Sequence, residues 1–366
     1  MKILVTGGCG MIGFNIAKTY HDLGHDVVVM DNLERSPLLG HDVSNDRMYF
    51  NSRLLDKMGV SVLFSDVSSS RWSSSQHGTI GETTFDVIFH MAAQCGVPTS
   101  INNPRRDFEV NMIGTFNMLE KARKDNAIVV YASTNKVYPI HDMWTKRDSA
   151  RWEWLNTNWQ ANGFPQEGME LIHGSRTPYG ASKYAGDLYC QEYAHTYGLR
   201  TGVFRMSCIY GNNQFGFEEQ GWATWFVIAT LKGLPIKIYG DGNQVRDMLF
   251  VSDAIDAYDR FINKAIADQS THGVYNLGGG VGNTLSLNEC LDTLEELTGK
   301  RSELSFHDWR PSDQKVYTSS LDNIQHDLEW QPSISPTQGL QKIIDWVTPN
   351  SVSYTHLRAH ETVLDL

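Results

Sequence analysis

Cysteine is scarce and unpaired in this chain. Five residues (Cys9, Cys95, Cys190, Cys208 and Cys290) stand far apart in 366 positions. An odd, scattered set gives no disulfide framework, so the expectation is a reducing compartment with the thiols as small buried hydrophobes. Basic charge is short as well, with 31 Lys and Arg against 42 Asp and Glu for a net −11. That excludes a nucleic-acid or anionic-membrane footprint, and a polyanionic ligand would need local basic residues. No apolar run is long enough to span a bilayer, and Met1 to Gly7 is too short for a signal peptide. A soluble cytoplasmic protein is expected, with no membrane and no nucleic-acid partner. The histidine pairs His21/His25 and His356/His360 lack the glutamate and third ligand of a zinc enzyme, so no metal is expected. Neither a Gly-x-Ser-x-Gly elbow nor a Gly-Lys-Ser/Thr phosphate loop is present. Internal repeats and low-complexity linkers are absent too.

What is present is an ordinary globular composition, 41% hydrophobic and 20% charged, which argues against extended disorder. At this length the chain can bury one large core or two coupled domains. Lys2 to Thr6 reads as a buried strand running into Gly7-Gly8-Cys9-Gly10-Met11-Ile12-Gly13, then a helix with apolar Ile12, Ile16, Ala17, Tyr20 and Leu23. Glycines 7, 10 and 13 permit a tight turn, close approach to a pyrophosphate and close helix–strand packing, with phosphates at the helix N-terminus. A second strand, Asp26 to Met30, ends in Asp31, placed for a carboxylate to take ribose hydroxyls of NAD and repel a 2′-phosphate. Arg35 is near enough to keep NADP open.

Further strands are expected at Val60–Phe64, ending in Asp66-Val67, and at Phe85–Phe89, ending in His90-Met91-Ala92-Ala93-Gln94. A helix over Asp107–Arg123 carries Asn111 in an apolar setting, either as a structural bridge or as part of a proton relay. Strands at Ile128–Tyr131 and Thr201–Arg205 follow, the first leading into Ser133-Thr134-Asn135-Lys136. Alternating strands and helices argue for an α/β fold, a Rossmann-type doubly wound parallel sheet with ligands beyond the C-terminal strand ends. Residues 139–178 show no periodicity and hold Trp144, Trp152, Trp154 and Trp159, as a lid or a tryptophan-filled structural loop. A tryptophan-rich helix is expected at Trp222–Lys232.

Tyr179 and Lys183 stand four apart on one helical face, putting a phenol beside an ammonium. The expectation is that the cation lowers the phenol's pKa, so that Tyr179 can move a proton at a sugar hydroxyl near neutral pH. In loops, Arg246 and Arg310 could each clamp a diphosphate, although surface solvation is the commoner fate of either alone.

The ordered set Thr6-Gly7-Gly8-x-Gly10-x-Ile12-Gly13, Ser133/Thr134, Tyr179-x-x-x-Lys183 and Arg205 to Gly211 resembles the extended branch of the short-chain dehydrogenase/reductase superfamily, the sugar-nucleotide epimerases and dehydratases, over residues 1 to about 348. The resemblance implies bound NAD and a nucleotide-diphosphate sugar as substrate. It implies Thr134, Tyr179 and Lys183 as catalytic residues. As cofactor contacts it implies Gly7, Gly10, Met11, Ile12, Gly13, Asp31, Asn32, Asp66, Val67, Ala92, Ala93, Gln94, Asn111, Ser133, Tyr179, Lys183 and Arg205. As substrate contacts it implies Thr134, Asn135, Gln220, Arg246 and Arg310. A homo-oligomer through a helical face is usual in the branch. The dehydratases carry an Asp-Glu pair after the threonine, where this chain has Asn135-Lys136, and an amide and an ammonium cannot do paired carboxylate work. Pro139 and Ala132 depart from the usual glycine and serine. Within the branch, Ser133 to Tyr138 with Gln220-Gly221-Trp222 and Gln244-Val245-Arg246-Asp247 looks most like enzymes inverting C2 of a CDP-sugar. A UDP-hexose 4-epimerase, a GDP-hexose 2-epimerase and a non-catalytic NAD-binding regulator are the alternatives.

The expected organisation is an NAD-binding domain over 1–206, with part of 245–275 returning to it, and a nucleotide-sugar lobe mainly over 207–348. The tail 351–366 resembles translated sequencing adapter and is read as non-native, a genuine C-terminal helix being the other reading. Deleting it is expected to leave activity and melting temperature unchanged; loss of folding would refute this reading.

Overall fold

The computed structural model describes residues 1–34, 49–69, 80–139, 144–148, 150–169, 174–218, 220–310 and 313–350, with the backbone of 73–74 and 78–79. Arg35, Pro311, Ser312, His356, His360 and the tail 351–366 lie outside the described residues.

Seven parallel strands form the central sheet. They are β1 (Lys2–Thr6), β2 (Asp26–Asp31), β3 (Ser61–Phe64), β4 (Val87–His90), β5 (Ile128–Thr134), β6 (Thr201–Met206) and β7 (Gly273–Leu277). Their order is β7-β6-β5-β4-β1-β2-β3. The chain winds outward from β1 through β3, then jumps back to β4 on the other side of β1. The crevice beyond the C-terminal ends of β1 and β4 is therefore the topological switch point, where doubly wound sheets bind ligands.

Alternation explains why both faces are covered. Ile3, Val5, Phe89 and Val130 point into one core cluster, and Leu4, Ile88, Val129 and Tyr131 into the other. A strand buried on both faces reads as a near-continuous apolar run, and β5, buried at all seven residues, is apolar from Ile128 to Ala132 apart from the Tyr131 hydroxyl. Helix α1 (Met11–Asp22) packs Phe14, Ile16, Ala17 and Tyr20 onto the first face. The expected helix over 107–123 is divided in three: Pro104–Phe108, a π turn at Glu109–Ile113, then α2 (Gly114–Asp125). The π turn carries Asn111 and re-aims it, a device common at functional sites.

After β6 the chain leaves the sheet. Cys208–Tyr210, Val245–Phe250, Thr284–Ser286 and Val316–Tyr317 make a four-stranded mixed sheet, and Ile236–Tyr239 pairs with Leu304–His307. The helix Val251–Ala267 and β7 return to the central sheet. The helix Trp222–Lys232 spans the expected residues.

In the insertion, Thr145–Arg147 pairs with Trp152–Trp154. Trp159 stacks on Phe164 at 4.2 Å, with Trp144 and Trp154 edge-on around them. This aromatic group packs on Val245 and Val316. Of the two readings of the tryptophans, their described part takes the structural one.

Candidate active site

The glycine turn after β1 is built for close approach. Gly7 has φ +67, and a Cβ there would lie 2.7 Å from the backbone N of Ala92. At Gly13 a Cβ would lie 2.3 Å from the Gly7 carbonyl oxygen, so any side chain would push α1 away from the turn. Asp31, at the end of β2, accepts the Cys9 N–H at 2.9 Å and the Leu33 N–H at 2.8 Å, tying the turn to the neighbouring strand. Beyond it, Asn32, Leu33, Glu34, Tyr49, Phe64, Asp66 and Arg106 line a cavity of about 590 Å³. Arg106 bridges the carboxylates of Glu34 and Asp66. Asn32 donates to the same Asp66 at 3.0 Å. Two aromatic walls and a ring of acceptors suit a base and ribose.

Asn111 proves to be a bridge. Its side-chain oxygen accepts the Gln94 N–H at 2.9 Å. Its nitrogen lies 3.0 Å from the Gln94 carbonyl oxygen, from Asp107 Oδ1 and from Ser182 Oγ. It thus ties the segment after β4 to α3 (Pro178–Tyr197). Ser182 in turn donates to the Tyr179 carbonyl at 3.1 Å, bracing the turn that bears Tyr179 and Lys183.

That helix starts with Thr177 as its cap, accepting the Gly180 N–H at 3.4 Å, and with Pro178 at a first-turn position that needs no N–H donor. The Tyr179 phenol sits beside the Thr134 hydroxyl. Burial pushes the Tyr179 hydroxyl above its ordinary range; the nearby Thr134 hydroxyl opposes this. The expected lowering by Lys183 is corrected here. The Lys183 ammonium lies 4.3 Å from the centroid of the Tyr131 ring, and loss of water brings it down to about 8. Helical spacing puts the two residues on one face, but the long lysine chain settles over an aromatic ring, and burial desolvates both groups.

Around this pair, Cys95 accepts from Gln220 and acts electrostatically on Tyr179 and Lys183. Asn135 receives the Thr134 hydroxyl at 3.4 Å. Gln314 accepts from Asn135 at 3.4 Å and from Lys136 at 3.0 Å. Arg246 donates to Asp313 at 2.6 Å, and Arg310 lies 4.0 Å over the Tyr239 ring.

Residues 3–278 match the family described as NAD dependent epimerase/dehydratase. The chain belongs to that family. Among curated relatives, the CDP-paratose 2-epimerase of Salmonella typhi is 34% identical over 356 residues, covering 95% of this chain and 99% of the relative. A putative UDP-glucose 4-epimerase of Methanocaldococcus jannaschii is 29% identical, with 95% and 99% covered. Among solved structures, the UDP-glucose 4-epimerase of Thermotoga maritima with UDP-glucose aligns at TM-score 0.74 and 25% identity, covering 96% of this chain and all of that one. The Thermus thermophilus UDP-glucose 4-epimerase with NAD aligns at 0.70 and 27% identity, covering 94% and 98%.

NAD is the cofactor of this epimerase family, and the residues here fit it. The glycine turn leaves room that any Cβ would fill, and Asp31 stands at the end of β2. Two expected cofactor contacts are corrected. Arg205 is buried and holds Asp187 through Nε at 2.9 Å and a terminal nitrogen at 3.2 Å, with further bonds to the Tyr138 hydroxyl and the Glu167 carbonyl. Ser133 donates to the same Asp187 at 2.8 Å. Asp187 of α3 thus engages Ser133 on β5 and Arg205 on β6 together, which leaves neither side chain free to face a ligand. The Val67 side chain packs against Gly114, so only its backbone remains for that role.

Sequence reasoning missed Cys95, Arg106, Asp187 and the part played by Gln314. Asp187 had a usable signal, four residues past Lys183 on the same helix. For Arg106 and Gln314 no spacing rule applied, because their partners lie 40 and 178 residues away. Among the described residues no helix is long and apolar enough to cross a membrane, and no group of three or more metal-ligating side chains forms.

Proposed function

We propose that the protein epimerises a nucleotide-diphosphate sugar, interconverting CDP-paratose and CDP-tyvelose by inversion at C2 through a transient 2-keto sugar. The observation that carries this reading is that Tyr179 sits beside Thr134 at the end of β5, with Lys183 one helical turn on and Asp107 acting on both, and with Asn135 and Lys136 where dehydration would need carboxylates. The 34% identity to a CDP-paratose 2-epimerase supports the choice of base and carbon. NAD, when bound, supplies the hydride acceptor and returns the hydride. On this reading Gly7, Gly10, Met11, Ile12, Gly13, Asp31, Asn32, Asp66, Ala92, Ala93 and Gln94 hold it.

Tyr179 takes the proton of the sugar hydroxyl and gives it back. Thr134 hydrogen-bonds the same oxygen, its rotamer fixed by the Lys136 N–H at 3.3 Å. Lys183 supplies the positive charge that the phenolate needs once formed. Arg246 and Arg310 hold the diphosphate, and Gln220 contacts the sugar. The UDP-glucose 4-epimerase relatives support a second reading, the same chemistry at C4 of a UDP-hexose.

Incubation in D₂O with CDP-, GDP- and UDP-sugars, followed by NMR, separates these. Inversion at C2 with the original hydrogen retained is the expected result. Deuterium on that carbon would mean enolisation and overturn the mechanism, and inversion at C4 would move the substrate to the second reading. Conversion of none of the sugars would point to a dehydrogenase needing added cofactor or to a binding-only protein.

The chain is further proposed to pair as a dimer through α2 and α3, which expose Phe116, Leu188, Tyr189 and Tyr197 side by side. Light scattering should give a dimer for the wild type and a monomer for Phe116→Glu combined with Tyr189→Glu. A wild-type monomer would refute it.

A further inference from the structure

We infer that Gln314 is a positioning residue for the reaction centre, holding Asn135 and Lys136 at the end of β5 so that Thr134 and Lys136 meet the sugar in one arrangement. This rests on the epimerase reading. A polar chain runs from Thr134, beside Tyr179, to Asn135 at 3.4 Å, to the Gln314 side-chain oxygen at 3.4 Å and to the Lys136 ammonium at 3.0 Å. Thr134, Asn135 and Gln314 are all buried. Hydrogen bonds there are strong, and a missing partner is correspondingly costly.

Gln314 is itself held from both sides. Asp313 before it pairs with Arg246, and Val316–Tyr317 after it runs parallel to Val245–Arg246. The tryptophan group of the insertion packs on Val316, so the strand that fixes Gln314 is backed by residues sequence reading could not place. The charged groups acting on Lys136 are Arg246 and Asp313. An amide oxygen suits this position because it accepts from Asn135 and from Lys136 together without neutralising the ammonium. Two N–H donors of Lys136 then remain for an oxygen of the substrate.

The test replaces Gln314 by Leu, which removes the acceptor at similar volume, and by Glu, which keeps it. Gln314→Leu should lower kcat by roughly 10–100-fold, the scale of a misplaced reacting group, with a smaller change in KM and unchanged NAD content. Gln314→Glu should recover much of that loss. If the leucine variant does not fold, Gln314→Asn, one methylene shorter, should show the same fall in kcat. NMR titration of the Lys136 side-chain nitrogen, without substrate, is a readout independent of turnover. It should move down in Gln314→Leu and up in Gln314→Glu, because the acceptor favours the charged form and a carboxylate favours it more. Turnover within about twofold of wild type in the leucine or asparagine variant would overturn the inference. So would a titration unmoved in both leucine and glutamate variants. Failure of the wild type to convert any nucleotide sugar would instead remove the epimerase reading and leave the titration result standing.

Discussion

Tyr179→Phe is expected to turn over roughly 10²–10⁴-fold more slowly than wild type, the range for a general acid–base group. In barrier terms that is about 3–5 kcal/mol at 1.36 kcal/mol per decade. The substitution should be mild for folding. Thr134, beside the phenol, still donates to Asn135 and accepts from the Lys136 N–H. NAD content and melting temperature should therefore hold while kcat falls, and wild-type turnover in this variant would sink the assignment.

The pH profile carries a second signature of the same pair. Burial holds the Tyr179 hydroxyl high and brings Lys183 down to about 8. The pair therefore loses its first proton near pH 8, from the amine. The reactive form, phenolate beside ammonium, holds the same number of protons and is in equilibrium with that state. Its amount rises about tenfold per pH unit below 8 and levels off above, and kcat/KM should do the same. In Lys183→Arg the cation no longer titrates in this range, so the limb should move upward toward the phenol's own range. A limb still near 8 would assign it elsewhere, with Lys136, also held at about 8, the first group to examine.

Asp187→Ala should cost about 3–5 kcal/mol of stability, the price of leaving a buried partner charge uncompensated. The Asp187 side chain is fully buried and Arg205 is 4% exposed, so water cannot take over. Two strands are affected at once, because Ser133 on β5 loses its acceptor and Arg205 on β6 its counter-charge. Denaturant unfolding should show the loss as an earlier midpoint. Replacing both partners by apolar residues, Asp187→Leu with Arg205→Met, should recover much of it, because no orphaned charge remains. A single-variant loss under about 1 kcal/mol would mean that the Tyr138 hydroxyl and the Glu167 carbonyl already satisfy the guanidinium.

Asp187 also marks where sequence reading stopped. Arg205 and Ser133 stand at the C-terminal strand ends, where ligand contacts belong, and were expected to touch the cofactor. Their partner lies on the helix packed against those strands, one turn past Lys183, and that spacing gives its face of the helix without saying which strand residues it meets.

The amino-acid sequence by itself determined the parallel α/β sheet, the glycine turn with Asp31, and the placing of Tyr179 and Lys183 on one helix. These signals are local: strand periodicity, a turn that admits no Cβ and a four-residue helical spacing are each complete within a few neighbouring positions. Only the tertiary structure decided that Asn111 is a bridge, that Arg205 faces Asp187, that Lys183 settles over Tyr131 and that Gln314 closes on Lys136. Each of these is a choice among buried partners far apart in the chain. Burial makes the choice decisive, since a polar group stripped of water must take whichever partner the packed fold brings within reach.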